Sequence, residues 1–228
     1  MKTTSKENTV TMDPISALRQ ALITALEPIY GTGDPAHTAV HFEEVYITAK
    51  ELRDATSGQY RDELLLCTAY IHDLFASSHR TVHEVMSGDF VRDGGLDWLD
   101  KVLTSEELWL LEHACREHRA SYEGGFTTPY SALFNAADRE RPKGWRAIYD
   151  RAWLFTSHQH EGKWIDPKVI TQQVIDHLDD KFGSSGYASY PEIYEEVYGD
   201  ALQQQRKDID GLVVWVATGH PIASYVPK

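Results

Sequence analysis

The sequence contains very little cysteine and no long apolar run. Its two cysteines, Cys67 and Cys115, each lie in an apolar stretch with helical spacing. They predict small core residues in a reducing compartment and argue against a disulfide framework. No run of about 18 apolar residues occurs, so no membrane-spanning helix is predicted, and the polar segment 1–11 lacks the apolar core of a signal peptide. We therefore expect a cytoplasmic protein that does not enter a membrane.

Positive charge is also scarce. Lys and Arg number 22 against 35 Asp and Glu, which gives a net charge of -13. Such a surface repels a phosphate backbone, so long nucleic acid and anionic membranes are disfavoured as partners. A single nucleotide stays compatible, because a metal ion and a few arginines can reverse the field locally.

Convincing strand alternation is missing, whereas helical spacing recurs from end to end. We therefore predict an all-α fold, a single helical bundle with additional C-terminal helices. The predicted helices cover residues 13–29, 34–54, 61–75, 79–92, 104–119, 128–139, 144–158, 167–182 and 191–208. The apolar run 212–217 fits a buried helix end and a strand equally well.

The chain is expected to divide into three parts. These are a flexible N-terminus at 1–12, a metal-binding helical domain at 13–160, and a helical extension at 161–228 that packs on the same domain.

The dipeptide His72-Asp73 ends the very hydrophobic run 64–71. An ionised aspartate buried there costs several kcal/mol unless it is paired or binds a metal ion. Near a helix end, two adjacent side chains can converge on one ion. A structural hydrogen bond between the two residues is the alternative interpretation.

Three more histidines fall on apolar faces of predicted helices, namely His41, His83 and His118. Each of them alone also fits a core histidine that is hydrogen-bonded to a carbonyl. His79 shares a helix face with His83 and stays an alternative to it. Asp138 tends inward too, although a helix-end carboxylate paired with a neighbouring arginine explains it as well. The ordered set, more than any member, indicates a metal site.

This order resembles that of the HD superfamily of metal-dependent phosphohydrolases, whose pattern is His…His-Asp…Asp. The segment HFEEVYITAKEL resembles the first helix of that family, and LLLCTAYIHDLF resembles its hydrophobic helix that ends in His-Asp. The segment NAADR resembles its closing Ala-Asp-Arg segment. The likeness covers roughly residues 34–151, about half of the chain.

The resemblance implies an HD domain with one or two divalent metal ions. The implied ligands are His41, His72, Asp73 and Asp138 for a first ion, and His83 and His118 for a second ion, with Asp73 bridging. Mixed imidazole and carboxylate ligands suit transition metals better than calcium. We expect Mn, Fe, Co, Ni, Mg or Zn.

The same resemblance implies a phosphohydrolase that cleaves a phosphoester or phosphoanhydride of a small metabolite, with a nucleotide as the preferred class, by metal-activated water. We expect Asp73 to be catalytic and Glu84 to carry a proton. The candidate substrate-binding residues are Arg80, Arg119, Arg139 and Lys143. Solvated surface charge is the simpler explanation for any one of these four.

Two other functions fit the same residues. An HD-type mixed-valent diiron oxygenase would be distinguished by bound iron and O₂ consumption. A non-catalytic, metal-stabilised regulatory or binding protein is the other alternative. Residues beyond 151 match nothing in the core pattern, and we expect them to cover the site or to form a homodimer contact.

Overall fold

The computed structural model describes residues 12–30, 39–160, 163–183 and 186–227, and this part of the chain is all-α, with no β-strand. The predicted fold class is therefore confirmed. The α-helices are α1 (Pro14–Tyr30), α2 (Ala39–Ala55), α3 (Asp62–Ile71), α4 (His83–Arg92), α5 (Ser105–Glu117), α6 (Pro129–Ala137), α7 (Gly144–Gln159), α8 (Pro167–Phe182) and α9 (Glu192–Ala217). Two short 3-10 helices lie at Leu99–Lys101 and Ile222–Ser224.

Helix α3 ends earlier and helix α4 begins later than the periodicity predicts. The predicted helix 61–75 ends at Ile71, and the predicted helix from residue 79 begins only at His83. Between them the backbone makes hydrogen bonds between residues three apart instead of four, such as the one from the amide of Ala76 to the carbonyl of Asp73 at 2.9 Å. The apolar residues Leu74 and Phe75 extend the hydrophobic spacing of α3 beyond its last residue, so periodicity alone could not reveal this end. The predicted start of the second helix at residue 34 lies outside the described residues.

Helix α9 is the longest of the described helices and includes the apolar run 212–217. Its buried residues include Leu202, Ile209 and Leu212, which share one face at helical spacing. The run is therefore the end of a helix and not a strand. Although α9 has 26 residues, no helix in the described ranges is long and apolar enough to cross a bilayer.

The described residues form two hydrophobic cores, and α9 contributes to both. The larger core contains residues of α1 to α6 together with Tyr194 and Leu202 of α9. The smaller core joins α7 and α8 to Ile209 and Leu212, in the second half of α9. The domain boundary at residue 160 stays a prediction.

Both cysteines lie in the larger core and are fully buried. Neither Cys67 nor Cys115 forms a disulfide. Burial raises the pKa of the Cys67 thiol to about 12, so this thiol stays protonated near neutral pH. The prediction of small core residues is confirmed.

Three helices end at a residue of the predicted metal site. His72, His118 and Asp138 are the residues that directly follow α3, α5 and α6. Helices α5 and α6 start at well-defined caps, where the side chains of Thr104 and Thr128 accept backbone N–H bonds. A helix C-terminus carries partial negative charge. The convergence of three such ends therefore favours a cation between them.

Candidate metal centre

All six predicted ligands lie together, in two groups that share Asp73, and all are buried except Asp138, which is partly buried. The first group is His41, His72, Asp73 and Asp138, and the second is Asp73, His83 and His118. Within each group the ligand atoms lie within 4.8 Å of one another. Buried sets of imidazole and carboxylate groups at this spacing could hold a metal ion.

The Asp73 carboxylate lies between the two groups and presents one oxygen to each. Its Oδ2 lies 3.6 Å from Nε2 of His41 and 3.5 Å from Nε2 of His72. Its Oδ1 lies 2.9 Å from Nε2 of His83 and 3.0 Å from Nε2 of His118. This side chain is therefore placed to bridge two ions.

The spacing in the first group fits ligands of one ion better than hydrogen-bonded partners. Oδ1 of Asp138 lies 3.4 Å from Nε2 of His41 and 3.3 Å from Nε2 of His72. Such distances exceed the usual 2.7–3.2 Å of an N–H···O hydrogen bond. Two ligand atoms that are each about 2.1 Å from an ion lie about 3.0–3.4 Å apart. Nε2 of His72 is also buried and, among the described residues, makes no hydrogen bond.

In each of the four histidines of the two groups, Nδ1 donates a hydrogen bond to an acceptor outside the groups. Nδ1 of His72, His83 and His118 donates to the carbonyl oxygen three residues earlier, over 2.9, 3.0 and 2.6 Å. Nδ1 of His41 donates to Oε1 of Glu140 over 2.8 Å. A carbonyl oxygen can only accept, so Nδ1 carries the proton and Nε2 faces the carboxylates. This arrangement is typical of histidines that bind a metal ion.

The electrostatics of the centre require positive charge. Burial acts to raise the pKa of Asp73 and Asp138, but nearby histidines outweigh it and hold both pKa values well below the ordinary range. Burial likewise acts to lower the pKa of His41, but its contacts with Asp138, Asp73 and Glu140 raise that pKa well above its usual value. The buried carboxylate of Asp73 and the partly buried one of Asp138 therefore need either protons on the histidines or a cation. A divalent ion supplies the same charge.

Glu140 is part of the centre, although the sequence did not identify it. It is buried, and its Oε1 accepts from Nη1 of Arg151 at 2.9 Å in addition to His41. Burial acts to raise the pKa of Glu140, but the His41 bond and Arg151 lower it to about 2. Glu140 has a positive φ of 55° in the turn after α6. A turn has no periodicity, so the charged stretch around Glu140 is indistinguishable in sequence from a solvent-exposed segment. The one sequence feature that could have indicated Glu140 is its position two residues after Asp138.

Replacing Glu140 by Gln is expected to lower metal affinity by about 10- to 100-fold, as for other residues that orient a metal-binding histidine. The amide keeps the size of the side chain but removes the charge that fixes the proton on Nδ1 of His41. Calorimetric titration of Mn²⁺ into the protein measures the change in metal affinity. Glu196→Gln, on an exposed part of α9, is the matched control and should bind as the parent does. Equal affinity of both variants would refute a role for Glu140.

His83, and not its alternative His79, belongs to the second group. The ring of His79 is exposed and its Nδ1 lies 2.9 Å from Oγ of Ser78. His83 is the first residue of α4 and is buried. The late start of α4 therefore separates two histidines that an unbroken helix would place on one face.

Glu84 and Arg119 form a pair beside the second group. Oε2 of Glu84 lies 3.5 Å from Nδ1 of His83, and Nη1 of Arg119 donates to Glu84 over 3.3 Å. Glu84 therefore lies next to the predicted ligand His83 without being part of either group. Its catalytic role and substrate binding by Arg119 stay predictions.

The other three candidate substrate-binding residues lie in different surroundings. Nζ of Lys143 is 3.1 Å from both Glu44 and Glu140, so it neutralises carboxylates next to the centre. The side chain of Arg80 is exposed, and that of Arg139 is partly buried. Substrate binding by these three residues stays a prediction.

Searches for similar proteins found no match to this chain among protein-family models, curated proteins or solved structures. The helical fold and the buried His and Asp cluster are compatible with an HD-like domain.

Proposed function

We propose that this protein is an HD-type metal-dependent phosphohydrolase. It cleaves a phosphoester or phosphoanhydride of a small phosphorylated metabolite, with nucleotides as the preferred class. The observation that carries the proposal is the position of Asp73, which presents one oxygen to each of two buried ligand groups. A pair of adjacent ions is a common arrangement for phosphoester hydrolysis.

A divalent ion in such a site lowers the pKa of a water molecule towards neutrality and polarises a phosphoryl oxygen. The residues of the chain prepare the site for this. Asp73 and Asp138 supply negative charge, and the Nδ1 bonds hold the imidazole rings in one orientation. Glu84 lies outside both ligand groups, beside His83. It is our candidate for the group that takes the proton from the attacking water.

The substrate is small and anionic in this proposal. The net charge of -13 disfavours a long nucleic acid, but a cationic centre can still attract a single phosphorylated molecule. The preference for nucleotides follows from the resemblance to the HD superfamily, which is an analogy at the level of the fold.

The test is a screen for phosphate release from nucleoside mono-, di- and triphosphates and from a generic phosphoester. Each assay is run with Mn²⁺, Co²⁺, Mg²⁺ or Fe²⁺. We expect metal-dependent release by the parent and a loss of at least about 100-fold in Asp73→Ala, because a ligand should matter no less than a residue that orients one. Asp100→Asn, at an exposed position, should keep the activity of the parent.

Absence of release with every metal and substrate would contradict the proposal. Iron content and O₂ uptake would then be measured. Bound iron with substrate-dependent O₂ uptake would support the diiron oxygenase, and a metal-loaded protein without turnover would support the regulatory alternative.

A further inference from the structure

Three tyrosines at helical spacing lie side by side at the start of α9. Tyr190 lies just before this helix, and Tyr194 and Tyr198 follow in its first two turns. The ring centroids of Tyr190 and Tyr194 are 4.8 Å apart, and those of Tyr194 and Tyr198 are 5.0 Å apart. We call these three residues the tyrosine ladder. The ladder lies in the C-terminal part of the chain, to which no member of either ligand group belongs.

The middle tyrosine of the ladder bonds directly to the turn after α6. The hydroxyl of Tyr194 is buried and donates to the carbonyl oxygen of Glu140 over 2.8 Å. Glu140 has a φ of 55°, a left-handed conformation that residues other than glycine rarely adopt and that persists where surrounding contacts fix it. The bond from Tyr194 is such a contact, and it comes from a residue 54 positions further along the chain.

The outer two tyrosines hold the residues on either side of Glu140. The ring of Tyr190 packs against Arg139, with 6.0 Å between the ring centroid and Cζ. On α2, Glu51 accepts from the hydroxyl of Tyr198 over 2.6 Å and from Nη1 of Arg141 over 3.2 Å. Three consecutive residues of the turn are thereby fixed by the tyrosine ladder, two of them directly and one through Glu51.

The side chain of Glu140 transmits the position of this turn to the candidate metal centre. Its Oε1 accepts from Nδ1 of His41 over 2.8 Å, and Nε2 of the same ring faces Asp73 and Asp138. A hydrogen bond weakens steeply when its geometry is displaced. A shift of the Glu140 backbone would therefore loosen the bond that orients His41, and residues that orient a metal-binding histidine affect metal affinity.

We propose that Tyr194 is a positioning residue of the candidate metal centre, which acts on His41 through the backbone of Glu140. The residues beyond 160 thus support the centre without supplying a ligand. This inference needs a metal ion at the centre but no phosphoester hydrolysis. It therefore goes beyond the proposed function and is tested without a substrate.

The test is calorimetric titration of Mn²⁺ into the full-length Tyr194→Phe variant, which keeps the ring and loses the hydroxyl. Mn²⁺ binding is expected to weaken by about 3- to 10-fold, the effect of one hydrogen bond. In a Glu140→Gln protein the carboxylate that Tyr194 positions is already gone. Adding Tyr194→Phe to that protein should therefore change the affinity by less than about twofold. A purely structural role of Tyr194 would leave the two effects additive.

Tyr225→Phe is the matched control. The hydroxyl of Tyr225 also donates to a carbonyl oxygen of α9, that of Asp208, over 2.6 Å, but it does so beside the smaller core. This variant should lose comparable thermal stability and bind Mn²⁺ as the parent does. The positioning role is refuted if the parent binds no Mn²⁺, if Tyr194→Phe binds it normally, if both variants weaken binding equally, or if Tyr194→Phe has its full effect in Glu140→Gln.

A second measurement uses the parent protein alone and decides the matter if Tyr194→Phe does not fold. Coupling between two sites is reciprocal, so Mn²⁺ binding should in turn order the start of α9. Hydrogen exchange followed by mass spectrometry should show slower exchange there when Mn²⁺ is added, at the amides of Tyr194 and Glu195 that bond to the carbonyl of Pro191. Unchanged exchange at these amides would refute the coupling. A protein that passes both tests but releases no phosphate would support the positioning role and contradict the proposed function.

Discussion

Asp73→Asn is expected to weaken metal binding in both ligand groups at once. Each carboxylate oxygen of Asp73 faces one group, and an amide offers one neutral oxygen in place of two charged ones. Loss of a ligand should cost at least as much as loss of a residue that orients one, so we expect at least about 100-fold lower affinity. His72→Gln and His118→Gln should each affect one group, because each belongs to only one of the two.

This difference can be measured by calorimetric titration of Mn²⁺, with the metal content of the purified proteins determined in parallel. Far-UV circular dichroism shows whether each variant keeps its helices. Asp100→Asn is the matched control, since Asp100 is exposed and lies outside both groups. An Asp73→Asn protein that keeps full affinity at one site would show that Asp73 does not bridge.

Removal of the metal is expected to lower the melting temperature, and the difference is expected to widen as the pH rises from 6 to 9. Contacts with Asp73 and other carboxylates outweigh burial and raise the pKa of His41 and His118 in the metal-free protein. A raised pKa stabilises the folded state fully below the unfolded value of about 6.5, and this stabilisation is lost as the pH rises through the folded value. The free energy of unfolding of the metal-free protein should therefore fall between pH 6 and 9.

The aspartates do not contribute to this pH dependence. The pKa values of Asp73 and Asp138 are lowered, so their contribution is present above about pH 4 and is lost only as the pH falls through the lowered folded values. In the loaded protein a metal ion replaces the histidine protons, and its affinity increases with pH as proton competition falls. Loss of the histidine contribution and stronger metal binding both increase the difference in melting temperature between the loaded and the metal-free protein as the pH rises.

An ion present at 1,000 times its dissociation constant stabilises a protein by about 4 kcal/mol. For a chain of this size, roughly 2–4 °C per kcal/mol gives a shift of roughly 8–16 °C. Scanning calorimetry of loaded and stripped protein at several pH values measures it. Asp73→Asn should show little shift on adding metal, and coincident melting of loaded and stripped parent protein throughout the range would contradict the prediction.

The contact between Tyr190 and Arg139 could not be predicted from the sequence. The two residues are far apart in the chain, and no pattern links them. In the structure the amide of Ala188 donates to the carbonyl of Lys181, and the Tyr190 ring packs 6.0 Å from Cζ of Arg139. Contacts of this kind depend on how helices pack, which periodicity does not encode.

The all-α class could be predicted from the sequence because helical spacing is a local pattern. The six candidate ligands followed from helical spacing, buried charge and the resemblance to the HD pattern, with His79 open as an alternative to His83. The tertiary structure alone decided which atoms of those ligands meet. Asp73 faces two groups because α3 ends at Ile71, and His83 rather than its alternative His79 joins the second group because α4 starts late. Glu140 joins His41 through a turn with positive φ. Each of these outcomes depends on a helix end or a turn, where the hydrophobic period no longer reports the direction of a side chain.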